Sequence, residues 1–226
     1  MERKYYEAYD DRYRQIHKKN LAWFYEEPTA IVRQTIEKYS ITTNHKVLEL
    51  GCGEGRDAFP LLNADFDLLA TDISPAAITY CRNKNAKYAR SFQVLDCVAG
   101  ELEGKFDFIY AVAVVHMLVL DDDRDAFYTF IRTHLTNDGI ALICTMGDGK
   151  IERQTDIRTA FDLQERTHEQ SGVGVKIAST SCRMVNFATF EDELKRNGFA
   201  ILDMGLANAS PDFPMLMYGV VKEENT

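Results

Sequence analysis

Short apolar runs alternate with helix-forming stretches through the middle of the chain. The runs are, in order, HKVLEL, FDLLAT, SFQVLD, FDFIYAV and IALICTM. Nearly continuous apolar segments of this length are typical of strands buried on both faces of a sheet. Helices between successive strands favour parallel pairing through right-handed crossovers. The pattern therefore predicts a doubly wound α/β sheet.

Three helices are predicted between these strands, over RDAFPLLNA, AAITYCRNK and DDDRDAFYTFIRTHL. Ser74 and Pro75 supply a cap and a first-turn proline for the second helix. Pro60 is expected to shorten or kink the first helix, because proline cannot donate to the helical ladder. We expect Asn137 to Gly139 to turn the third helix into the fifth strand.

The end of the chain follows a different pattern. A helix is predicted over ATFEDELKRNG, opened by a capping box of Thr189 and Asp192 and closed by Gly198. The strands FAILDMGL and PMLMYGVVKE follow with only a loop between them, and such a loop permits antiparallel pairing only. The complete prediction is a Rossmann-like sheet of seven strands, mostly parallel with an antiparallel last strand, and with helices on both faces.

The length of 226 residues and the hydrophobic content of 46% suit a single domain over residues 1–226. Residues 1–44 form a predicted helical segment, in which tyrosines recur at roughly helical spacing. Residues 147–188 are polar and contain glycine, and their secondary structure is uncertain. An insertion of this length at the carboxyl edge of a parallel sheet is usually functional or disordered. We interpret residues 147–188 as a cover on the substrate side.

The formal net charge is -9, and the sequence lacks the basic stripe with which proteins bind nucleic acid. A small or cationic substrate is therefore easier to accommodate than a polyanion.

Five scattered cysteines without a C-x-x-C pair indicate reduced thiols rather than disulfides or a zinc site. The polar start of the chain differs from a signal peptide, and no stretch approaches the roughly 20 apolar residues of a membrane span. We expect a soluble cytoplasmic protein with no membrane partner and no bound metal; no sequence feature specifies an oligomeric state.

The strongest motif is VLELGCGEGRDA, residues 47–58, where a buried strand runs through Gly51, Gly53 and Gly55 into a helix. Glycine lets the backbone turn tightly and approach a ligand. Turns of this kind bind nucleosides at the carboxyl edge of open α/β sheets. An unliganded tight turn is the alternative interpretation.

Two aspartates strengthen the nucleoside hypothesis. Asp72 ends the second strand 21 residues after Gly51, where an acid is expected to accept both ribose hydroxyls. Asp96 ends the third strand, beside Cys97, and is placed to accept from the exocyclic amine of adenine. Each aspartate alone is more simply a helix cap.

The nature of the nucleoside follows from two further residues. The dinucleotide fingerprint requires glycine where this chain has Arg56. Glu49 would repel a pyrophosphate, but it suits a cofactor that carries an ammonium and a sulfonium group. The motif therefore favours a sulfonium nucleoside over a nicotinamide dinucleotide.

These motifs, read as ELGCGEG, TDIS, LDCV and FDFIYAVAVVHML, resemble the class I S-adenosylmethionine-dependent methyltransferase family. The likeness is to the small bacterial methyltransferase-domain or tellurite-resistance-like type, and it covers residues 45–146 well. NDG stands where the family often has proline-glycine-glycine. The resemblance implies S-adenosylmethionine as cofactor. The resemblance implies that Gly51 and Gly53 frame the methionine part, Asp72 and Ile73 hold the ribose, Asp96 and Cys97 the adenine, and the backbone around Ala111 and Val112 the methionyl amine. Glu49, Cys52 and Gly55 of the same glycine motif complete the predicted cofactor-binding residues.

His116 follows the fourth strand and is the candidate general base, with packing or loop support as the alternative role. Tyr13, Trp23 and Tyr25 are candidate lid residues, because aromatic faces attract methylated cations; plain packing is the alternative. His168 and Arg183 are candidate substrate contacts, against the alternative of an ordinary solvated surface.

The resulting functional hypothesis is methyl transfer to a small-molecule acceptor through an O, N, S or metalloid atom. The alternative is a non-catalytic sensor that binds S-adenosylmethionine or S-adenosylhomocysteine. A structured insertion that lines a ligand site would favour the enzyme, and a disordered one would favour the sensor. A nicotinamide dehydrogenase is disfavoured by Glu49 and Arg56.

Overall fold

The computed structural model of the protein describes residues 3–23, 27–168, 170–207 and 215–224. The helices are α1 (Ala8–His17), α2 (Ala30–Lys38), α3 (Ala58–Asn63), α4 (Pro75–Lys84), α5 (Asp121–His134) and α6 (Phe187–Arg196). The strands are β1 (Lys46–Leu50), β2 (Asp67–Asp72), β3 (Phe92–Val94), β4 (Phe106–Val112), β5 (Leu135–Met146), β6 (Arg153–Gln154), β7 (Leu163–Thr167), β8 (Gly174–Ala178), β9 (Arg183–Met184), β10 (Phe199–Ala207) and β11 (Leu216–Glu223).

Seven strands form the central sheet in the order β10-β11-β5-β4-β1-β2-β3. The five strands from β3 to β5 pair in parallel, and β11 pairs antiparallel with both β5 and β10. The doubly wound α/β sheet with an antiparallel last strand is thereby confirmed. Because the order reverses between β1 and β4, the carboxyl ends of these two strands border a crevice.

Helices cover both faces of the sheet. Side chains alternate along each strand, so neighbouring residues of one strand contribute to the cores on opposite faces. Leu48 points into a core formed with α5 and α6, and its neighbour Val47 points into a second core formed with α2, α3 and α4. The sheet is therefore the middle layer of three. In the described part of the chain, no helix combines the length and apolar character needed to cross a membrane.

Some local predictions are confirmed. Ser74 caps α4 by accepting a hydrogen bond of 3.1 Å from the backbone N–H of Ala77, with Pro75 in the first turn. The helix that contains Pro60 is only six residues long. Gly198 follows α6 with a φ of +80°, as a helix-ending glycine does.

Two local predictions are wrong. The expected turn at Asn137 to Gly139 lies inside β5, because the strand starts at Leu135 and absorbs these residues where its register with β4 shifts. The expected capping box of α6 also fails. Asn186 is the N-cap, since its side chain accepts from the backbone N–H of Thr189 at 2.9 Å.

The segment before α6 forms two small antiparallel sheets, one of β6 with β9 and one of β7 with β8. The β7–β8 hairpin packs on α1. Gln15 of α1 accepts a hydrogen bond of 2.7 Å from the backbone N–H of Ala178. The last two residues of the interval 147–188 belong to α6. The described parts of residues 1–44 and 147–188 therefore contact each other.

Candidate functional site

A cavity of about 880 Å³ lies at the carboxyl edge of the sheet, where β1, β2, β3 and β4 end. Its walls come from the turn after β1, the residues that follow the other three strands, and the N-terminal segment. Glu49, Asp72 and Asp96 all line it, so the acids predicted from three strand ends share one cleft.

The turn after β1 has backbone conformations that require glycine. Gly51 has a φ of +73°, and a Cβ at this position would lie 2.3 Å from a methyl carbon of Val114. Gly53 has a φ of +52°, and its N–H donates to Asp72 at 2.8 Å. Between them, Cys52 is buried and donates its backbone N–H to the carbonyl of Thr71 at 2.8 Å. The glycines thus bring bare backbone to the wall of the cavity.

Glu49 is a buried carboxylate with an unused oxygen. Its side chain lines the cavity, its residue is 3% exposed, and Oε2 has no hydrogen-bond partner among the described residues. Burial raises the pKa of Glu49 well above its usual range, and the neighbouring charge of Asp57 raises it further. A buried anion of this kind is stabilised by a cation placed against it.

Asp72 is held by backbone donors on both of its oxygens. The N–H groups of Ser74 and Gly53 each donate at 2.8 Å. Burial nevertheless raises the pKa of Asp72 to about 6. A carboxylate oxygen has capacity for more than one donor, so both oxygens can still accept from a ligand.

The third strand end contributes polar and apolar wall. Asp96 accepts from the N–H of Val98 at 2.9 Å and from Tyr6 Oη at 3.2 Å. Cys97 lines the cavity beside it, and burial raises the pKa of its thiol to about 12. Ile73, which follows Asp72, also lines the cavity.

Two predicted cofactor residues are not brought to this cavity. Gly55 is absent from its described wall, and a φ of +81° together with a Cβ position 2.6 Å from the Phe59 ring accounts for the glycine. Ala111 is fully buried inside β4. The wall is formed instead by Val112 with the two residues that follow it, Ala113 and Val114. Of the two residues predicted on the fourth strand, Val112 therefore lines the cavity and Ala111 does not.

The N-terminal segment closes the cavity with three tyrosines of one helical face, Tyr6, Tyr9 and Tyr13. Tyr13 is thus part of the wall, and its role as a lid residue stays a prediction. Trp23 lines an adjoining cavity instead. Tyr25 lies outside the described residues.

Two anchors fasten this segment to the sheet edge. Asp10 accepts from Ser74 Oγ at 2.6 Å and from the N–H of Ala76 at 3.0 Å. Glu54, in the glycine turn, contacts His17 Nε2 at 2.8 Å and accepts from the N–H of Trp23. Sequence reasoning missed both acids, because their partners are distant in the chain.

A second cavity, of about 1460 Å³, adjoins the first, and Tyr9 and Met117 line both. Its other walls come from the β6–β9 and β7–β8 sheets and from α1. The charged side chains in its wall are arginines: Arg12, Arg153 and Arg166. None of the described residues that line it is an aspartate or glutamate.

His116 lies in the wall of the second cavity with a residue exposure of 3%. Its Nδ1 has no hydrogen-bond partner among the described residues. Burial lowers the pKa of His116 to about 3, and the charges of Arg124 and Arg12 lower it further. The imidazole is therefore neutral near pH 7 and can exchange a hydrogen bond with a ligand. Its catalytic role stays a prediction.

The two other predicted substrate residues have structural partners. His168 is buried, with Nε2 2.7 Å from the carbonyl oxygen of Ala22 and Nδ1 2.8 Å from Ser171 Oγ. It reaches the second cavity, but its polar atoms are used. Arg183 donates to the carbonyl of Val119 at 2.9 Å and to Asp121 at 2.7 Å, and it is absent from the described walls of both cavities.

Among the described residues, no group of three or more histidine, cysteine, aspartate or glutamate side chains is arranged to hold a metal ion. The first cavity is lined by the carboxylates of Glu49, Asp57, Asp72 and Asp96 and by the guanidinium group of Arg56, which pairs with Asp57. The second is lined by guanidinium groups without a carboxylate among its described residues.

Residues 48–141 match a family model described as a methyltransferase domain. Hemagglutinin 1 of Eikenella corrodens is 32% identical over an alignment of 93 residues, which covers 34% of this chain and 31% of that protein. The chain thus spans about a third of the length of this curated relative.

Solved structures share the fold over nearly the whole chain. The 1,6-didemethyltoxoflavin-N1-methyltransferase of Burkholderia thailandensis, solved with 1,6-didemethyltoxoflavin and S-adenosylhomocysteine, matches with a TM-score of 0.70 at 14% identity, covering 100% of this chain and 92% of that chain. A TehB-like S-adenosylmethionine-dependent methyltransferase of Corynebacterium glutamicum matches with a TM-score of 0.59 at 19% identity, covering 97% and 98%.

Proposed function

We propose that this chain, which belongs to the class I S-adenosylmethionine-dependent methyltransferase family, transfers a methyl group to a small-molecule acceptor. The observation that carries the proposal is the buried carboxylate of Glu49, whose Oε2 is unpaired among the described residues, in the cleft that also holds Asp72 and Asp96.

The residues of the first cavity fit S-adenosylmethionine. Glu49 offers a buried negative charge to the cationic methionine part, and bare backbone at Gly51 and Gly53 leaves room beside it. Asp72 has free acceptor capacity on both oxygens for ribose hydroxyls. Asp96 offers an acceptor at the third strand end, next to Tyr6. When bound, the cofactor supplies an electrophilic methyl group on a sulfonium sulfur.

The work of the protein in such a reaction is chiefly positioning. Holding two reactants in line supplies about 7 to 11 kcal/mol, whereas a general base supplies about 3 to 5 kcal/mol. The tyrosines over the first cavity exclude water, and the second cavity holds the acceptor at the shared wall of Tyr9 and Met117. His116, neutral and with Nδ1 unpaired among the described residues, is proposed to orient the acceptor by a hydrogen bond.

The two outer segments support an enzyme rather than a sensor. We assign residues 1–44 as the lid of the cofactor cleft and residues 147–188 as the cover of the acceptor cavity, within one domain of residues 1–226. The described part of the insertion is structured, and it lines a cavity contiguous with the cleft. The Burkholderia enzyme that shares the fold was solved with a small heterocyclic substrate, which supports an acceptor of similar scale.

Calorimetric titration with S-adenosylhomocysteine, followed by an acceptor screen that measures its release from S-adenosylmethionine, tests the proposal. We expect micromolar binding to the wild type, strong loss in Asp72→Ala, and no change in Glu101→Gln, an exposed residue outside the first cavity. NAD serves as the competing ligand. Heats from NAD but not from the homocysteine nucleoside, or an unchanged affinity in Asp72→Ala, would refute the assignment.

A further inference from the structure

The charge of the second cavity opposes the charge of the whole chain. The sequence contains 35 acidic and 26 basic residues, so an average patch of surface is acidic. The wall of this cavity instead carries arginines from three elements, α1, β6 and β7, and no carboxylate among its described residues. Three separate parts of the chain thus place like charges around one space.

Arg12 is the most constrained of these cations. It is buried, and its Nε and Nη2 donate to the carbonyl of Ala178 at 3.4 and 3.1 Å, while Nη2 also donates to the carbonyl of Ser179 at 2.8 Å and to Thr180 Oγ1 at 2.7 Å. The guanidinium carbon lies 5.2 Å from the centre of the Tyr9 ring and 5.0 Å from that of Trp23. These contacts fix the orientation of the planar group.

One nitrogen of the fixed guanidinium is unused. Nη1 donates to no described residue, and no described carboxylate lies within ion-pair distance of Arg12. Buried charges are normally paired. Burial lowers the pKa of Arg12, and the nearby charge of Arg166 lowers it further. An anion in the cavity would offset both the burial of the Arg12 charge and its repulsion from Arg166.

Arg153 and Arg166 complete the set from the side of the insertion. Both are exposed, and neither forms an ion pair with a described residue. Arg158 of the same segment shows the alternative arrangement, because it pairs with Asp156 and lies outside the described wall of the cavity. The unpaired arginines are therefore a property of the cavity rather than of the whole segment.

We infer that the methyl acceptor is a small oxyanion, carrying a carboxylate or phosphate group that accepts from Nη1 of Arg12, with Arg166 and Arg153 closing around it. Guanidinium groups suit both oxyanions, because they donate charge-assisted hydrogen bonds to anionic oxygens. The inference rests on the proposed function and names the substrate class of that same site. It narrows the expectation of a small or cationic substrate, which the net charge favoured, to a small anionic one.

The anion site adjoins the cofactor cleft. Arg153 and Arg166 belong to the insertion, whereas Arg12 belongs to α1, and its guanidinium carbon lies 5.2 Å from the ring of Tyr9, which lines both cavities. An acceptor bound to Arg12 is therefore held close to the wall that is shared with the cofactor cleft. His116 and Met117 line the same cavity.

Trp23, the single tryptophan of the sequence, reports directly on this site. We would titrate its fluorescence with acetate and, separately, with inorganic phosphate at constant ionic strength. The expected result is a saturable change with one of the two anions, and the tighter one identifies the oxyanion. Changes that do not saturate with either anion would overturn the inference.

Substitutions of single arginines test whether the anion response comes from this cavity. Arg12 also holds the β7–β8 hairpin, so its substitution risks misfolding, whereas Arg166 is exposed on a strand of the hairpin. Arg166→Gln should weaken the saturable anion response about tenfold, which corresponds to roughly 1.4 kcal/mol. Arg158→Gln is the matched control and should leave the response unchanged. An equal loss in both variants would indicate general screening and would contradict a specific site.

The acceptor screen distinguishes this inference from the proposed function. Acidic candidates are compared with their methyl esters or amides, with S-adenosylhomocysteine release as the readout and its calorimetric binding measured in parallel. Turnover of the acids, with KM raised about tenfold in Arg166→Gln and kcat preserved, supports the inference. Nucleoside binding with turnover only of neutral or cationic acceptors overturns the inference alone. Failure of nucleoside binding overturns the proposed function.

Discussion

Asp10 Oδ1 accepts a hydrogen bond of 2.6 Å from Ser74 Oγ, and this contact ties α1 to the cap of α4. Ser74 in turn donates its backbone N–H to Asp72, so the lid and the predicted ribose acceptor share one hydrogen-bonded chain. The lid is thereby coupled to the cofactor cleft by residues that need not touch the ligand.

Asp10→Ala should therefore loosen the lid. Loss of a buried hydrogen-bonded partner costs about 1 to 3 kcal/mol, which corresponds to a fivefold or greater effect. We expect faster dissociation of S-adenosylhomocysteine in stopped-flow displacement. Asp11→Ala, on the same helix but paired with exposed Arg3, is the control and should dissociate at the wild-type rate. Equal rates for wild type and Asp10→Ala would argue against the coupling.

Glu49→Gln should stabilise the free protein as the pH rises while weakening cofactor binding. The pKa of Glu49 is raised in the folded state from its ordinary 4.5, so its contribution to stability is present below that value and is lost as pH rises through the folded pKa. Glutamine does not ionise and escapes this loss. Urea unfolding between pH 5 and 8 should show a growing advantage for the variant; a constant difference would mean that Glu49 does not titrate as described.

Nucleoside binding should weaken at acidic pH because of Asp72. Its pKa of about 6 means that the carboxyl is protonated below that pH and is then a poorer acceptor for ribose hydroxyls. Affinity should fall up to about tenfold per pH unit below pH 6. Adenosine is the better probe, because it lacks the ammonium group that would engage Glu49. Asp72→Asn should show weak binding without this pH dependence.

Gly51→Ala should lower the free energy of unfolding by more than the cost of placing alanine in a left-handed backbone conformation. The conformation costs about 1 to 2 kcal/mol, and the collision with Val114 adds about 1 to 3 kcal/mol. Gly172→Ala is a matched control, because Gly172 has a φ of +68° and no atom within 4 Å of the added Cβ. Val114→Ala in the Gly51→Ala background should recover part of the difference in urea unfolding. No recovery would show that the collision is relaxed elsewhere.

His116→Ala should lower turnover more than it lowers affinity for S-adenosylhomocysteine. Since the pKa of His116 is about 3, the wild-type rate should show no His116 ionisation between pH 5 and 8, and the variant should retain the same pH profile. If the wild-type rate changed with pH around pH 6.5 and this change disappeared in His116→Ala, His116 would instead be a general base. Equal losses of turnover and affinity would point to a structural role.

The sheet could be predicted because its signals are local. Apolar runs, the glycine turn and the acids at strand ends each lie within a few residues of the feature that they specify. Boundaries were less predictable: Asn137 to Gly139 has turn chemistry, yet pairing with β4 draws these residues into β5. Asn186 outcompetes Thr189 as a cap because it lies at the position from which the helix starts.

The second cavity was beyond sequence reasoning for a physical reason. Arg12 meets Ala178 across 166 positions of the chain, and nothing near either residue encodes that contact. Its neighbours Tyr9 and Tyr13 could be predicted as one helical face, but the elements that this face meets could not. His168 and Arg183 were named as substrate contacts, and the partners that occupy them are equally distant.

The order of the central sheet also constrains how the protein is made. β11 follows β10 in the chain, yet it lies between β5 and β10 in the described sheet. Until β11 has been synthesised, the edges of β5 and β10 that it pairs with are unsatisfied. Assembly of this half of the sheet must therefore wait for β11, and the open strand edges favour aggregation until it is in place.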